Sequence, residues 1–223
     1  MSDAQHNSHG YLTPNALTTL FHGSGKLQTY LPETELFSQG EMIRDVYLIE
    51  AGWVRLTQTD HEGREAVVTF RSQGKLLGVA ALISQKPLRV SAITLNECRM
   101  YRLSAARFLK QVNNDLELSR ALNHTLGQQY YDLADDLARL ATHSARARLA
   151  DLLLQFVPEA TPTSTGELRL SLPFKQATMA SWLAIAPETL SRELKKLEQD
   201  GVIRRGNGWV FVTNLERLTR EAA

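Results

Sequence analysis

Glu188, Ser191 and Arg192 stand at i, i+3 and i+4, with Thr189 beside the first and Lys195 nearly a turn further on. On a helix such positions are neighbours on one side. The residue types suit the edges of base pairs: an arginine forks onto O6 and N7 of guanine, and a carboxylate accepts from N4 of cytosine. The helix that would carry them opens at Pro187, whose missing N–H needs no partner at the first helical position. Leu190, Leu194 and Leu197 repeat at i, i+4 and i+7 away from the polar side, which predicts a buried stripe over about 187–199. Upstream, Met179, Ala180 and Leu183 have helical spacing in a shorter segment that starts near Gln176. Two short helices around a tight turn, the second with polar residues at its N-terminal end, is the arrangement that sets a recognition helix in the major groove. An amphipathic helical hairpin with a solvated outer face would give the same periodicity.

The following segment narrows the choice. Gly201–Val212 reads as two short strands joined across Asn207-Gly208, a strong hairpin signal. A helix-turn-helix followed by a hairpin is a winged helix, with Arg204 and Arg205 on or beside the wing and within reach of phosphates. Pro173–Leu218 resembles the C-terminal domain of the Crp/Fnr superfamily of bacterial transcription regulators. The family's recognition helix carries Glu-x-x-Ser/Gly-Arg and then x-Leu-x-x-Leu, and here Glu188-Thr-Leu-Ser-Arg192 leads into Leu194 and Leu197, followed by Glu198-Gln-Asp-Gly201-Val-Ile203. Ala177 stands where many members have Gln or Glu beside the position of Gln176. The resemblance implies contacts to DNA from Gln176, Glu188, Thr189, Ser191, Arg192, Lys195, Arg204 and Arg205.

Toward the N-terminus, Val46–Ile49, Trp53–Thr57, Ala66–Phe70 and Cys98–Leu103 are short β-type runs, punctuated by Gly40, Gly52, Gly63, Gly74 and Gly78. Regular spacing of strands with glycine turns predicts an all-β sandwich or barrel, with each glycine at positive φ. Phe37-Ser-Gln-Gly40-Glu, Tyr47-Leu-Ile-x-x-Gly52-x-Val54 and Gly74-x3-Gly78 are similar to the front of a cyclic-nucleotide-binding β-roll in the same superfamily. In that resemblance the segment after Gly78 is the phosphate-binding cassette, a short helix whose N–H groups hold an anion. Two positions depart from it. Val79 stands where a ribose-binding Glu is expected, and Val90 interrupts the Arg-Ser-Ala motif in Arg89-Val-Ser-Ala92. Without a carboxylate at 79 the ribose hydroxyls have no acceptor, so cyclic AMP is not the expected effector. The effector candidates are Gly78, Val79, Ala80, Arg89 and Ser91, with Gln129 and Tyr130 from the long helix. A small anion, as in the 2-oxoglutarate-sensing members, suits Arg89 better than a nucleoside does, although Gln129 stands where those members carry a basic residue.

Between the two patterned regions, Leu122, Leu126, Tyr130, Leu133, Leu137 and Leu140 step by 4, 4, 3, 4 and 3, a coiled-coil type of seam. A helix over about 115–141 would be ~40 Å long. It predicts a homodimer, and two recognition helices about one helical turn apart would read a palindrome. Packing of part of this helix on the β-roll explains some of the same leucines. Ser144–Val157 is expected to be a helix, Pro158–Gly166 a surface loop open to RNA polymerase as in some members of the family, and Leu168–Leu172 a strand.

Composition sets outer limits. The net charge is +1; residues 1–141 carry 14 basic and 15 acidic side chains, and the remainder 11 and 9. A global field does not drive DNA binding here, so placement of charges must. Cys98 is the single cysteine, which removes an internal disulfide and a four-thiolate cluster. A haem, needing as little as one axial histidine, stays open. His6, His9, His22, His61, His124 and His143 show no metal-binding spacing in the β region, and no nucleophile–histidine–acid set is recognisable. There is no secretory signal and no run long enough to span a bilayer.

The expectation is an α+β chain with an effector-sensing β-roll (double-stranded β-helix) over 1–114, a dimerisation helix over 115–141 and a winged helix over 142–223. It is a cytoplasmic, homodimeric regulator that binds double-stranded DNA and is not an enzyme. Its half-site is expected near TTGAT, because Ser191 precedes Arg192 as in the Fnr/Dnr type of helix. A β-roll effector module that regulates a partner protein is the rival from another class, ahead of a jelly-roll enzyme.

Overall fold

The computed structural model describes residues 16–206 and 209–222. His6, His9 and the Asn207-Gly208 turn lie outside the described residues. Contacts divide the chain into two units, one made of residues up to Val54 with Arg71–Gln128, the other of Arg55–Phe70 with residues from Gln129 onward.

In the first half of the chain the order is α1 (Ala16–Ser24), β1 (Lys26–Tyr30), β2 (Glu35–Phe37), β3 (Asp45–Ala51), β4 (Val54–Thr59), β5 (Glu65–Arg71), β6 (Leu76–Leu77), α2 (Val79–Ser84), β7 (Ser91–Thr94), β8 (Cys98–Ser104) and α3 (Ala105–Asn114). One antiparallel sheet runs β1-β8-β3-β6; β2 lies beside β7 and β4 beside β5 in another. Val46, Leu48, Leu76, Val79, Leu103, Phe108 and Phe21 share one core with Leu118 and Leu122. Burying a side chain of this size stabilises by about 1.5–3 kcal/mol. Helices α1 and α3 have no expectation from the sequence. They bring Phe21 and Phe108 together with ring centroids 5.9 Å apart, and Ser104 caps α3 by accepting from the Arg107 N–H.

The expected glycine turns are present: Gly40, Gly52, Gly63, Gly74 and Gly78 all have positive φ. Gly52 is required for a second reason, since a Cβ there would stand 2.6 Å from the Cys98 sulfur. Cys98 is fully buried and its thiol donates to the Trp53 carbonyl at 3.3 Å.

Helix α4 (Leu116–Thr142) is continuous over 27 residues, close to the expected span. After it come α5 (Ala145–Gln155), a 3-10 turn at Val157–Glu159, β9 (Thr161–Pro162), β10 (Leu168–Leu170), α6 (Gln176–Trp182), α7 (Pro187–Gln199), β11 (Ile203–Gly206), β12 (Trp209–Val212) and α8 (Leu215–Glu221). The last four strands form a sheet in the order β11-β12-β10-β9. Part of the expected loop at Pro158–Gly166 is therefore edge strand, with Pro162 opposite Leu168. Arg146 on α5 bonds both Glu221 of α8 and Asp200 after α7, tying three helices at one point.

Within the C-terminal unit, residues 55–70 make aromatic contacts through Phe70. Phe70 stacks on Phe174 at 5.0 Å and meets the Trp182 ring edge-on at 4.2 Å, while Phe174 meets Phe156 at 5.4 Å. The Val67 N–H donates to Ser181 Oγ at 3.2 Å.

Burial pushes the Cys98 thiol up to about 11, so little thiolate exists near neutrality. Iodoacetamide at pH 8 is expected to leave the native protein unlabelled and to label it stoichiometrically once it is unfolded in guanidinium chloride. Rapid labelling of native protein, followed by mass spectrometry, would contradict the burial described here.

Candidate nucleic-acid interface

Leu190, Leu194 and Leu197 are buried to within 2% of full coverage, as their spacing predicts. That orientation leaves Glu188, Ser191, Arg192 and Lys195 exposed on the opposite side of α7. Pro187 takes the first helical position and Glu188 lies in the first turn, where a carboxylate is favoured by the helix dipole. Thr189 is half-buried and accepts from Arg192 Nη2 at 3.0 Å. The guanidinium is thus drawn back along its own helix, and Thr189 serves here as its hydrogen-bond partner. Gln176 opens α6 and is exposed.

Both helices end in the same hydrogen-bonding pattern. After α7, the N–H groups of Gly201 and Val202 bond the carbonyls of Glu198 and Leu197; after α6, those of Ala184 and Ile185 bond Ser181 and Ala180. This is the Schellman closure, which needs a left-handed residue just past the helix. Gly201 supplies it at φ 67° without strain, but the turn between α6 and α7 uses Ala184 at φ 50°.

The wing arginines lie on β11, as expected, and each is held by a carboxylate of the protein. Arg205 bonds Glu198 on α7 through its side chain at 2.7 Å and through its backbone N–H at 2.9 Å. Arg204 bonds Glu167 and lies 4.0 Å over the Phe211 ring. Arg205's backbone N–H and then its side chain hold the Glu198 carboxyl below its ordinary value, and Arg204's side chain does the same to Glu167. Both pairs are therefore intact at neutral pH and are lost only as the pH falls below the ordinary carboxylate range, through the depressed values. Neither Arg204 nor Arg205 is a free cation waiting for a phosphate.

The cassette candidates are placed as follows. Gly78 precedes α2 at φ 82°. Val79 is 2% exposed and belongs to the apolar core, so an acid there would lose hydration with no partner. Ala80 and Arg89 are exposed, and Ser91 Oγ accepts from the Gln39 N–H at 2.9 Å. Gln129 and Tyr130 belong to the other unit, with Tyr130 exposed and edge-on to Tyr131. A cavity of about 270 Å³ lies elsewhere, lined by Tyr30, Phe37, Asp45, Tyr47 and Arg102 among others. Asp45 and Arg102 are paired across it, and burial pushes the Tyr47 hydroxyl up to about 12. Its residues come from four strands and the loop before β3, and no sequence signal groups them.

The seam on α4 is split. Leu122 is 4% exposed within the core of the first unit and Leu126 packs against that core, so these two leucines are accounted for inside the protomer. Tyr130, Leu133, Leu137 and Leu140 are exposed, with Tyr131 beside them. Among the described residues no cluster of metal-ligating side chains occurs, and no helix is long and apolar enough to cross a membrane.

A helix-turn-helix with a strand-paired wing, in a chain that also carries a glycine-punctuated β-roll, defines a two-domain DNA-binding regulator. Residues 27–115 match the cyclic nucleotide-binding domain and residues 147–221 the Crp-like helix-turn-helix domain. The chain is 25% identical over 187 residues to a CRP-like cAMP-activated global transcriptional regulator of Mycobacterium tuberculosis, covering 84% of each. It is 24% identical to the nitrogen fixation regulation protein FixK of Azorhizobium caulinodans, covering 80% of this chain and 71% of that one. The structure of FixK2 from Bradyrhizobium japonicum superposes with a TM-score of 0.76 at 21% identity, over 89% of this chain and 98% of that one. The chain belongs to the Crp/Fnr superfamily of DNA-binding transcriptional regulators.

Replacing Ala184 by Gly is expected to stabilise the helix-turn-helix by about 1 kcal/mol, the cost of holding a side chain in the left-handed region. A thermal unfolding midpoint at or below that of the parent would show that the turn is not strained.

Proposed function

We propose that this protein is a cytoplasmic homodimer that reads an inverted repeat close to TTGAT-N4-ATCAA and controls transcription through RNA polymerase. The observation that carries the reading is the two-sided build of α7: three buried leucines fix its rotation, and Glu188, Ser191 and Arg192 face outward together. Arg192 and Glu188 define one or two G·C pairs, and the Ser191 methylene sits against a thymine methyl. Gln176 and Lys195 contact the backbone and hold the register. Arg204 and Arg205 need not leave their carboxylates for this.

Dimerisation is typical of the family, and the exposed run Tyr130, Leu133, Leu137 and Leu140 supports a seam confined to the C-terminal part of α4. One such helix on each protomer sets the half-sites about one helical turn apart. Some relatives are named as cyclic-AMP-activated and another as a cyclic AMP receptor protein. In this chain Val79 lies in the core and Arg89 is exposed, which supports a regulator that does not answer to cyclic AMP; a small anion at Gly78, Val79, Ala80, Arg89 and Ser91, with Gln129 and Tyr130, suits the remaining polar groups better.

Selection from a random duplex library tests the specificity. Enrichment of TTGAT-type half-sites is expected; TGTGA half-sites, or no palindrome, would overturn the assignment. Arg192→Ala should lose about 1–3 kcal/mol of discrimination at one base pair in each half-site, read by competition shift assays, with the thermal midpoint unchanged. Leu133→Asp with Leu137→Asp should give monomers in sedimentation velocity, since each buries an unpaired charge in an apolar seam. An unchanged dimer would place the interface elsewhere. Calorimetry is expected to detect no micromolar binding of cyclic AMP, and binding that tightens DNA association would refute that part of the reading.

A further inference from the structure

The wing sheet carries three arginines, Arg169 on β10 and Arg204 and Arg205 on β11, and their charges are not equivalent. Arg204 and Arg205 each hold a carboxylate, Glu167 and Glu198. Among the described residues no carboxylate pairs with Arg169. Its guanidinium lies instead 4.5 Å from the centroid of the Trp209 ring.

Register explains how it gets there. Arg169 stands opposite Phe211, and Phe211 opposite Arg204, so these three share one face of the sheet. Leu170, Val210 and Val212 take the buried side. Trp209 is two residues before Phe211, hence on the same face as Arg169, and it pairs with Gly206 at the tip end of the hairpin. By lying diagonally across to Trp209, the Arg169 side chain is carried toward the tip of the wing. A guanidinium stacked on an aromatic ring is held flat by cation–π attraction while its N–H edge stays free. That edge is the fork that suits phosphate oxygens. Trp209 is 37% exposed, so the stacked pair is open to solvent.

We infer that Arg169, held over the Trp209 ring, is the wing's contact to a DNA phosphate, and that Arg204 and Arg205 are internal ties. The inference rests on the recognition-helix reading given above. Drawing Arg204 or Arg205 onto a phosphate would break an existing ion pair and exchange one anion for another. Arg169 brings an uncompensated charge, and its docking releases a condensed counterion.

The test is the salt dependence of binding by the full-length protein, followed by fluorescence anisotropy from about 50 to about 200 mM salt. The probes are a TTGAT-N4-ATCAA duplex and a scrambled duplex of equal length. Arg169→Ala is expected to lower the log–log slope by about 0.9 per protomer on both duplexes, leaving the preference between them unchanged. Arg169→Lys should keep the slope, because the charge remains. Arg204→Ala and Arg205→Ala should keep it too, and should lower the thermal midpoint instead. If Arg169→Ala impairs folding, Arg169→Gln, which keeps part of the stem over Trp209, must show the same loss. An unchanged slope in a folded Arg169→Ala or Arg169→Gln protein, or a slope lost on Arg204→Ala or Arg205→Ala, would overturn the inference. If the parent protein prefers neither duplex, the recognition-helix reading fails separately from the wing contact, whose slope is still measured on the scrambled duplex.

Discussion

The burial of Leu190, Leu194 and Leu197 is the constraint on which the C-terminal unit depends. Three large side chains at i, i+4 and i+7 fix the rotation of α7 about its own axis, and nothing else in the helix could do so as firmly. Every outward position then follows: Glu188, Ser191, Arg192 and Lys195 are exposed because the leucines are not. Glu198 extends the same logic to the wing. It stands in the last turn of α7 and takes both the backbone and the side chain of Arg205, so the helix and the first strand of the wing are joined by more than the chain between them.

The β-roll obeys a different constraint. Its turns need backbone conformations with positive φ, and glycine supplies them at regular intervals. The core beside it is closed by apolar side chains contributed from the β1-β8-β3-β6 sheet and from α1, α2, α3 and the start of α4. Val79 belongs to that closure. Helix α2, where the sequence resemblance puts an effector cassette, contributes a core side chain, and this couples its position to the packing around it.

Much of this was legible from residue spacing. The strand positions, the glycine turns, α4 and α7 are each set by local patterns, and periodicity reports such patterns directly. Other features depend on residues far apart in the chain. The Arg205–Glu198 and Arg204–Glu167 pairs turn the wing cations inward, yet no spacing rule announces them. Phe70 joins Phe174 and Trp182 across a hundred residues of sequence, within the C-terminal unit. The two-residue strand β9 is too short to carry alternation, whereas α1 and α3 bury Leu17, Leu20 and Phe21, and Ala105, Phe108 and Val112, at helical spacing, a local signal that the sequence does contain. On α4 the heptad pattern was real but served two purposes: Leu122 and Leu126 face the roll, while the later members stay exposed. Periodicity identifies an apolar side but not what covers it.

The two sides of α7 also differ in what they cost to change. Ser191, Arg192 and Lys195 are exposed and make few contacts within the protein, so replacing them leaves folding nearly untouched. The leucine side tolerates no such freedom. If these residues read DNA as proposed, a lineage carrying this helix could drift from one operator to another through substitutions that no loss of stability would oppose.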